Sequence, residues 1–201
     1  MAIPEDRLST DPVIGDLYPP DDIGGGYTED REKGPKGLND TSEGTRYQNW
    51  YMLWEPSTGD FVVTPEDVGV PSAVHNAALV TQCSFCFDNN AHVTIAYMAD
   101  GLPYLWWYDT EIAGYTVTQL NTGAWFPMLT LDDKRPRQTA ANDMMLYYTK
   151  QQPDLTWNLY KLEQRERFLT EQLMQEDVFP IMYKLGMNNG FRVQLVLRVS
   201  Q

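Results

Sequence analysis

The sequence predicts a mostly β protein made of antiparallel, blade-like sheets in a partial propeller-like arrangement, preceded by an extended N-terminal arm. Three observations predict it. From residue 46 onward, short apolar and aromatic runs recur, each ended by Gly, Asn, Asp or Pro. Aromatic residues make up 12% of the chain, with six Trp and twelve Tyr, types that favour strands and interfaces. Residues 1–45 show no such rhythm. The chain therefore divides into an arm, residues 1–45, and a β-rich structural domain, residues 46–201.

The arm is interrupted by Pro4, Pro12, Pro19, Pro20 and Pro35 and by the run Gly24, Gly25 and Gly26. Its large hydrophobes are isolated, so it cannot bury enough apolar area to offset its own ordering entropy. Isolated anchors on an extended chain suit binding across a neighbouring subunit, and Ile14, Leu17, Tyr18 and Tyr27 are the candidate partner-binding residues.

In the domain, "NWYMLWE", the turn "PSTGD" and "FVVT" form a hairpin pattern. "TPEDVGVPSAVHNAALV" carries two prolines and reads as a connector. Four strands follow in "ALVTQCSFCF", "HVTIAYM", "PYLWWYD" and "YTVTQL", separated by "DNN", "ADG" and "TEIAG". This is the rhythm of one up-and-down propeller blade. A second pass runs through "GAWFPMLTLDD", "NDMMLYYTK", "LTWNLYKLEQRERF" and "FLTEQLM". An alternative for Lys161 to Asp177 is a helix, with Glu163 and Arg167 as an i,i+4 pair. The last hairpin turns at "MNNG", where Asn189 and Gly190 suit positive φ.

Charge excludes several functions. With 28 acidic against 15 basic residues, the net charge of −13 repels phosphate backbones. The densest basic cluster, Lys134, Arg135 and Arg137, directly follows Asp132 and Asp133, so no direct nucleic-acid binding is expected. No apolar run approaches the eighteen or so residues of a membrane span, and the N-terminus lacks the pattern of a signal peptide. Two cysteines rule out a disulfide framework and fit a reducing cytoplasm.

Residues 84–109 concentrate the side chains with chemical potential. His75, Cys83, Cys86 and His92 have the residue types of a zinc site. Yet Cys83 and Cys86 lie in a strand-like run, where residues three apart point to opposite faces, so no metal is expected. No phosphate-binding loop, nucleophile elbow or metalloprotease motif is present, and no catalytic residue or cofactor is assigned. Trp106 and Trp107 occupy opposite faces of one strand. One face is then core, and the other is an exposed or partner-covered surface. Both residues join the partner-binding candidates; stacking on a sugar ring is the alternative for an exposed Trp.

The runs "LTLDDKRPRQTAANDMMLYYTK", "LYKLEQRERF" and "KLGMNNGFRVQLVL" resemble a module of tailed-bacteriophage virion structural proteins. The resemblance covers about residues 78–199, and it implies assembly rather than reaction. The implied role is a structural component of the tail or head-to-tail connector region, built into the virion after synthesis in the host cytoplasm. Its partners would be other virion proteins and copies of itself. Under that resemblance Asp132, Asp133, Lys134 and Arg135 form a locally paired turn, and Asn142 and Asp143 start the next strand. Gln164, Arg165 and Arg167 either maintain the fold or bridge to a neighbour's acidic surface. A receptor- or glycan-binding tail module and a tail-associated glycosidase are the alternatives.

Overall fold

The structure is a computed structural model describing residues 34–35, 47–48, 50–65, 70–88, 90, 92–132, 143–187 and 193–199. The described chain is almost entirely antiparallel β. A short ribbon, β1 (Gly34–Pro35) with β2 (Tyr47–Gln48), precedes four sheets. The first has β3 (Trp50–Glu55), β4 (Asp60–Pro65) and β5 (Ser72–Asn76) side by side in that order. The second has β6 (Val80–Phe87), β7 (Val93–Ala99), β8 (Leu102–Asp109) and β9 (Gly114–Gln119). The third repeats the plan with β10 (Ala124–Asp132), β11 (Asp143–Gln151), β12 (Trp157–Glu163) and β13 (Gln172–Gln175). The fourth pairs β14 (Val178–Met187) with β15 (Val193–Val199).

Local chemistry sets the meander. Between β7 and β8 only Asp100 and Gly101 intervene, at φ 50° and 73°. Two consecutive positive φ values are what a tight hairpin with right-handed strand twist requires, and Asp-Gly supplies them at little strain. In β10 the ladder to β11 breaks between Trp125 and Met128, with Phe126 at φ 56°. Pro127 lies in that break; it has no N–H to give, so the strand bulges around it.

The sheets stack face to face in chain order, each adjacent pair enclosing a core. Met52, Trp54, Phe61 and Val63 of the first sheet meet Phe85, Ile95 and Tyr97 of the second. On the other side of the second sheet, Ala96, Leu105 and Trp107 meet Leu129, Leu146 and Tyr148 of the third. A third core joins Met128, Met145 and Leu159 to Val178 of the fourth. Strands β7 and β8 are buried on both faces, which is why they read as near-continuous apolar runs. The first strands of the second and third sheets, β6 and β10, lie against each other, and the Leu129 N–H donates to the Ser84 hydroxyl across the interface at 3.1 Å.

Three expectations are corrected. Within the connector, Ser72–Asn76 is a strand, the third of the first sheet. No helix spans Lys161 to Asp177; a single 3-10 turn, Gln164–Glu166, stands between β12 and β13. The third strand of the second blade therefore ends at Glu163, before "QRERF", and its fourth starts at Gln172 rather than Phe168. The reason is the pair Arg167 and Phe168, both in the left-handed region at φ 55° and 56°, which turns the chain sharply out of the sheet.

Candidate interaction surface and the clasp between sheets

Trp106 and Trp107 do point to opposite faces of β8, and the chain itself covers both. Trp106 stacks on His75 of β5 at 5.0 Å and on Tyr115 of β9 at 4.1 Å between ring centroids. Trp107 meets the edge of Phe168 at 5.2 Å, and its Nε1–H donates to the Thr118 hydroxyl at 3.1 Å. With 8% and 4% exposure, neither offers a sugar platform or a face for a partner. Both sides of the sheet are core because a sheet is packed on each. Ile14, Leu17, Tyr18 and Tyr27 lie outside the described residues, as do Asp133, Lys134, Arg135, Asn142, Asn189 and Gly190.

The two cysteines are buried thiols on opposite faces of β6, Cys83 in the first core and Cys86 in the second. Among the described residues no group of three or more His, Cys, Asp or Glu is gathered closely enough to hold a metal ion. His75 is an aromatic core residue instead. It stacks on Phe61 as well as Trp106, and its Nε2 lies 3.1 Å from the Tyr97 hydroxyl. Burial pushes its pKa down to about 4 and, with the nearby Tyr104, pushes Tyr97 up to about 12.

The ionisable side chains converge on the loop between β12 and β13, which lies between the second and third sheets. Gln164 Nε2 reaches the Asp88 carboxylate at 3.4 Å. Asp88 also accepts the backbone N–H of Asn90 and of His92, each at 2.8 Å, and faces His92 Nδ1 at 3.0 Å. Arg167 grips Asp109, which is buried at the end of β8, and Glu111 in the following turn. Phe168 fills the space between these polar groups and Trp107. Glu171 closes the far side, accepting from Asn121, from the Tyr148 hydroxyl and from Lys150.

The electrostatics match this geometry. Burial opposes ionisation of Glu163, but hydrogen bonds and charge from Lys161 and Arg165 outweigh it and hold the carboxyl below its usual range. Glu171 follows the same pattern, with burial outweighed by Tyr148, Asn121 and Lys150. The hydrogen bond to Asp109 raises Arg167 further. Glu163 and Glu171 are paired within the third sheet, while Arg167 on Asp109 and Glu111 and Gln164 on Asp88 clasp it to the second. Gln164 and Arg167 reach across to the second sheet, whereas Arg165 pairs with Glu163 within the third. Asp88 and Glu171 were missed. Asp88 and Asp109 each close a strand ahead of a turn, which was the only local signal.

What stays open is the outer margin of the first two sheets. Tyr115 and Val117 of β9 are 43% and 48% exposed, and Ile112 in the preceding turn is 60% exposed. Compared with known protein families, curated proteins and solved structures, the chain matches none.

Proposed function

We propose that this chain is a structural component of a tailed-bacteriophage virion, in the tail or head-to-tail connector region. In this reading the stacked sheets form a rigid body, and the N-terminal arm clamps neighbouring subunits. The observation that carries it is where the chemically capable side chains go. The tryptophans of β8, His75 and the clasp residues are held by contacts within the fold, and both cysteines are buried in it. Apolar side chains stand instead at its margins, Tyr115 and Val117 on β9 and Leu173 and Met174 on β13. Such a distribution suits a part that is built into something larger. The sequence resemblance over residues 78–199 supplies the particle, and the strongly acidic net charge fits contact with proteins rather than packaged DNA.

Quantitative mass spectrometry of gradient-purified particles tests the proposal. The chain should be present at a fixed copy number per particle, and particles made without it should be incomplete at the tail or its attachment point. Its absence from purified particles, with normal particles formed in its absence, contradicts the proposal.

A further inference from the structure

The first and second sheets face each other strand by strand, and the match stops one strand short. Trp50 of β3 lies on Phe87 of β6, with ring centroids 5.3 Å apart. Phe61 of β4 lies on Tyr97 of β7 at 5.2 Å, and His75 of β5 lies on Trp106 of β8 at 5.0 Å. Among the described residues the second and third sheets have four strands each and the first has three, so no described strand stands over β9. Among the described residues β5 pairs only with β4, which leaves its outer edge open beside that gap.

The side chains of β9 are arranged for a covered face. Thr116 and Thr118 point towards the third sheet with Trp107 and are half-buried. Tyr115 and Val117, paired with Tyr108 and Trp106, point towards the gap and are exposed. A strand with one solvated face carries its polar residues on that face and its apolar residues inward. In β9 two threonines face inward while Tyr115 and Val117, followed by Gln119, stand on the exposed face, so the Tyr115–Val117 stretch of the open side is built to be covered.

We infer that the gap is filled by the N-terminal segment of a neighbouring copy, which adds as a fourth strand to the edge of β5 and lays apolar side chains on Tyr115 and Val117. This rests on the proposed role in assembly and names the surface the arm would clamp. Backbone hydrogen bonds along an open edge, with alternate side chains entering a pocket, are the established physics of strand addition. The occupant follows from the chain outside the described body: residues 1–33 precede Gly34, and Val13 to Tyr18 is their densest apolar stretch. In an extended chain Val13, Gly15 and Leu17 share one face. A strand matching β5 needs only about five residues, roughly 17 Å, and the rest of the segment is long enough to reach another subunit. The donor is a neighbour because the proposed clamp role calls for one, and the segment that enters the described body at Gly34 is long enough to reach it.

The test places a photo-crosslinking amino acid at position 117 of the full-length chain. Irradiation should give a product of twice the chain mass on a denaturing gel, and digestion should map the crosslink to the tryptic peptide of residues 8–31. V117E should weaken self-association at least tenfold while leaving the melting curve in place. A crosslink to the same peptide at single-chain mass shows that the arm folds back, and it overturns the inference. A double-mass product mapping to β9 or any other segment also overturns it, while leaving the assembly role standing. So does failure to crosslink. Loss of the assembly role itself would be read separately, in the composition of purified particles.

Discussion

The two interfaces of the second sheet differ in how they are closed. Against the third sheet, aliphatic and aromatic residues are sealed at the margin by the loop from Gln164 to Glu171, with an aromatic plug and a set of ion pairs. Against the first sheet the core is a relay of stacked rings, His75 between Phe61 and Trp106 and then Tyr115, and its margin is left open. A closed margin belongs to a contact completed within the chain. An open one, with apolar residues facing outward, marks where completion comes from elsewhere.

The largest effect should come from the plug. Phe168→Ala should destabilise the domain by about 3 kcal/mol, because it empties a fully enclosed site against Trp107. The shift in denaturant midpoint at constant slope measures it; a change under about 1 kcal/mol would mean that the loop does not hold the two sheets together. Arg167→Met should come next, with a smaller midpoint shift than Phe168→Ala, since it keeps the apolar stem but leaves the buried Asp109 carboxylate without its guanidinium. Adding Asp109→Asn should recover part of that loss, and strict additivity of the two changes would contradict the pairing.

The ring relay predicts a pH response of opposite origin. The folded pKa of His75, about 4, lies below its ordinary value of 6.5, so the unfolded chain binds a proton that the native chain does not. Stability from this group is therefore fully present above about pH 6.5 and falls as pH drops towards 4. His75 is half-buried, and solvent screening reduces the effect to on the order of 1 kcal/mol. Denaturation of H75F from pH 7 to 4.5 should lack this component; an unchanged slope would remove His75 from the core.

The smallest effect concerns Thr94. Its hydroxyl is buried behind β7 with no hydrogen-bond partner among the described residues, so Thr94→Val should be neutral or stabilising by up to about 1 kcal/mol. A clear loss of stability would show that the hydroxyl has a partner.

Where the fold could be read from sequence, local rules govern it. Runs such as "HVTIAYM" and "PYLWWYD" flank Asp100 and Gly101, and strand alternation and turn chemistry act over a few residues. The strand β5 was hidden because it is a short, half-polar run just after Pro65 and Pro71, and only pairing to β4 makes it a strand. The clasp was hidden more deeply. Arg167 and Asp109 are 58 residues apart in the chain, and nothing local to either tells that stacking will bring them together. The pair Trp106 and Trp107 shows the intermediate case. Opposite faces followed from the strand, but burial of both depended on a sheet packing on each side.

The central claim is that a self-sufficient stack of sheets depends on its N-terminal arm for assembly, and removing residues 1–45 tests it most directly. The cores lie beyond that boundary, so the truncated chain should keep a near-native circular dichroism spectrum and cooperative melting. Offered in place of the full chain during particle formation, it should be missing from the purified particles. Normal incorporation of the folded, truncated chain would contradict the account.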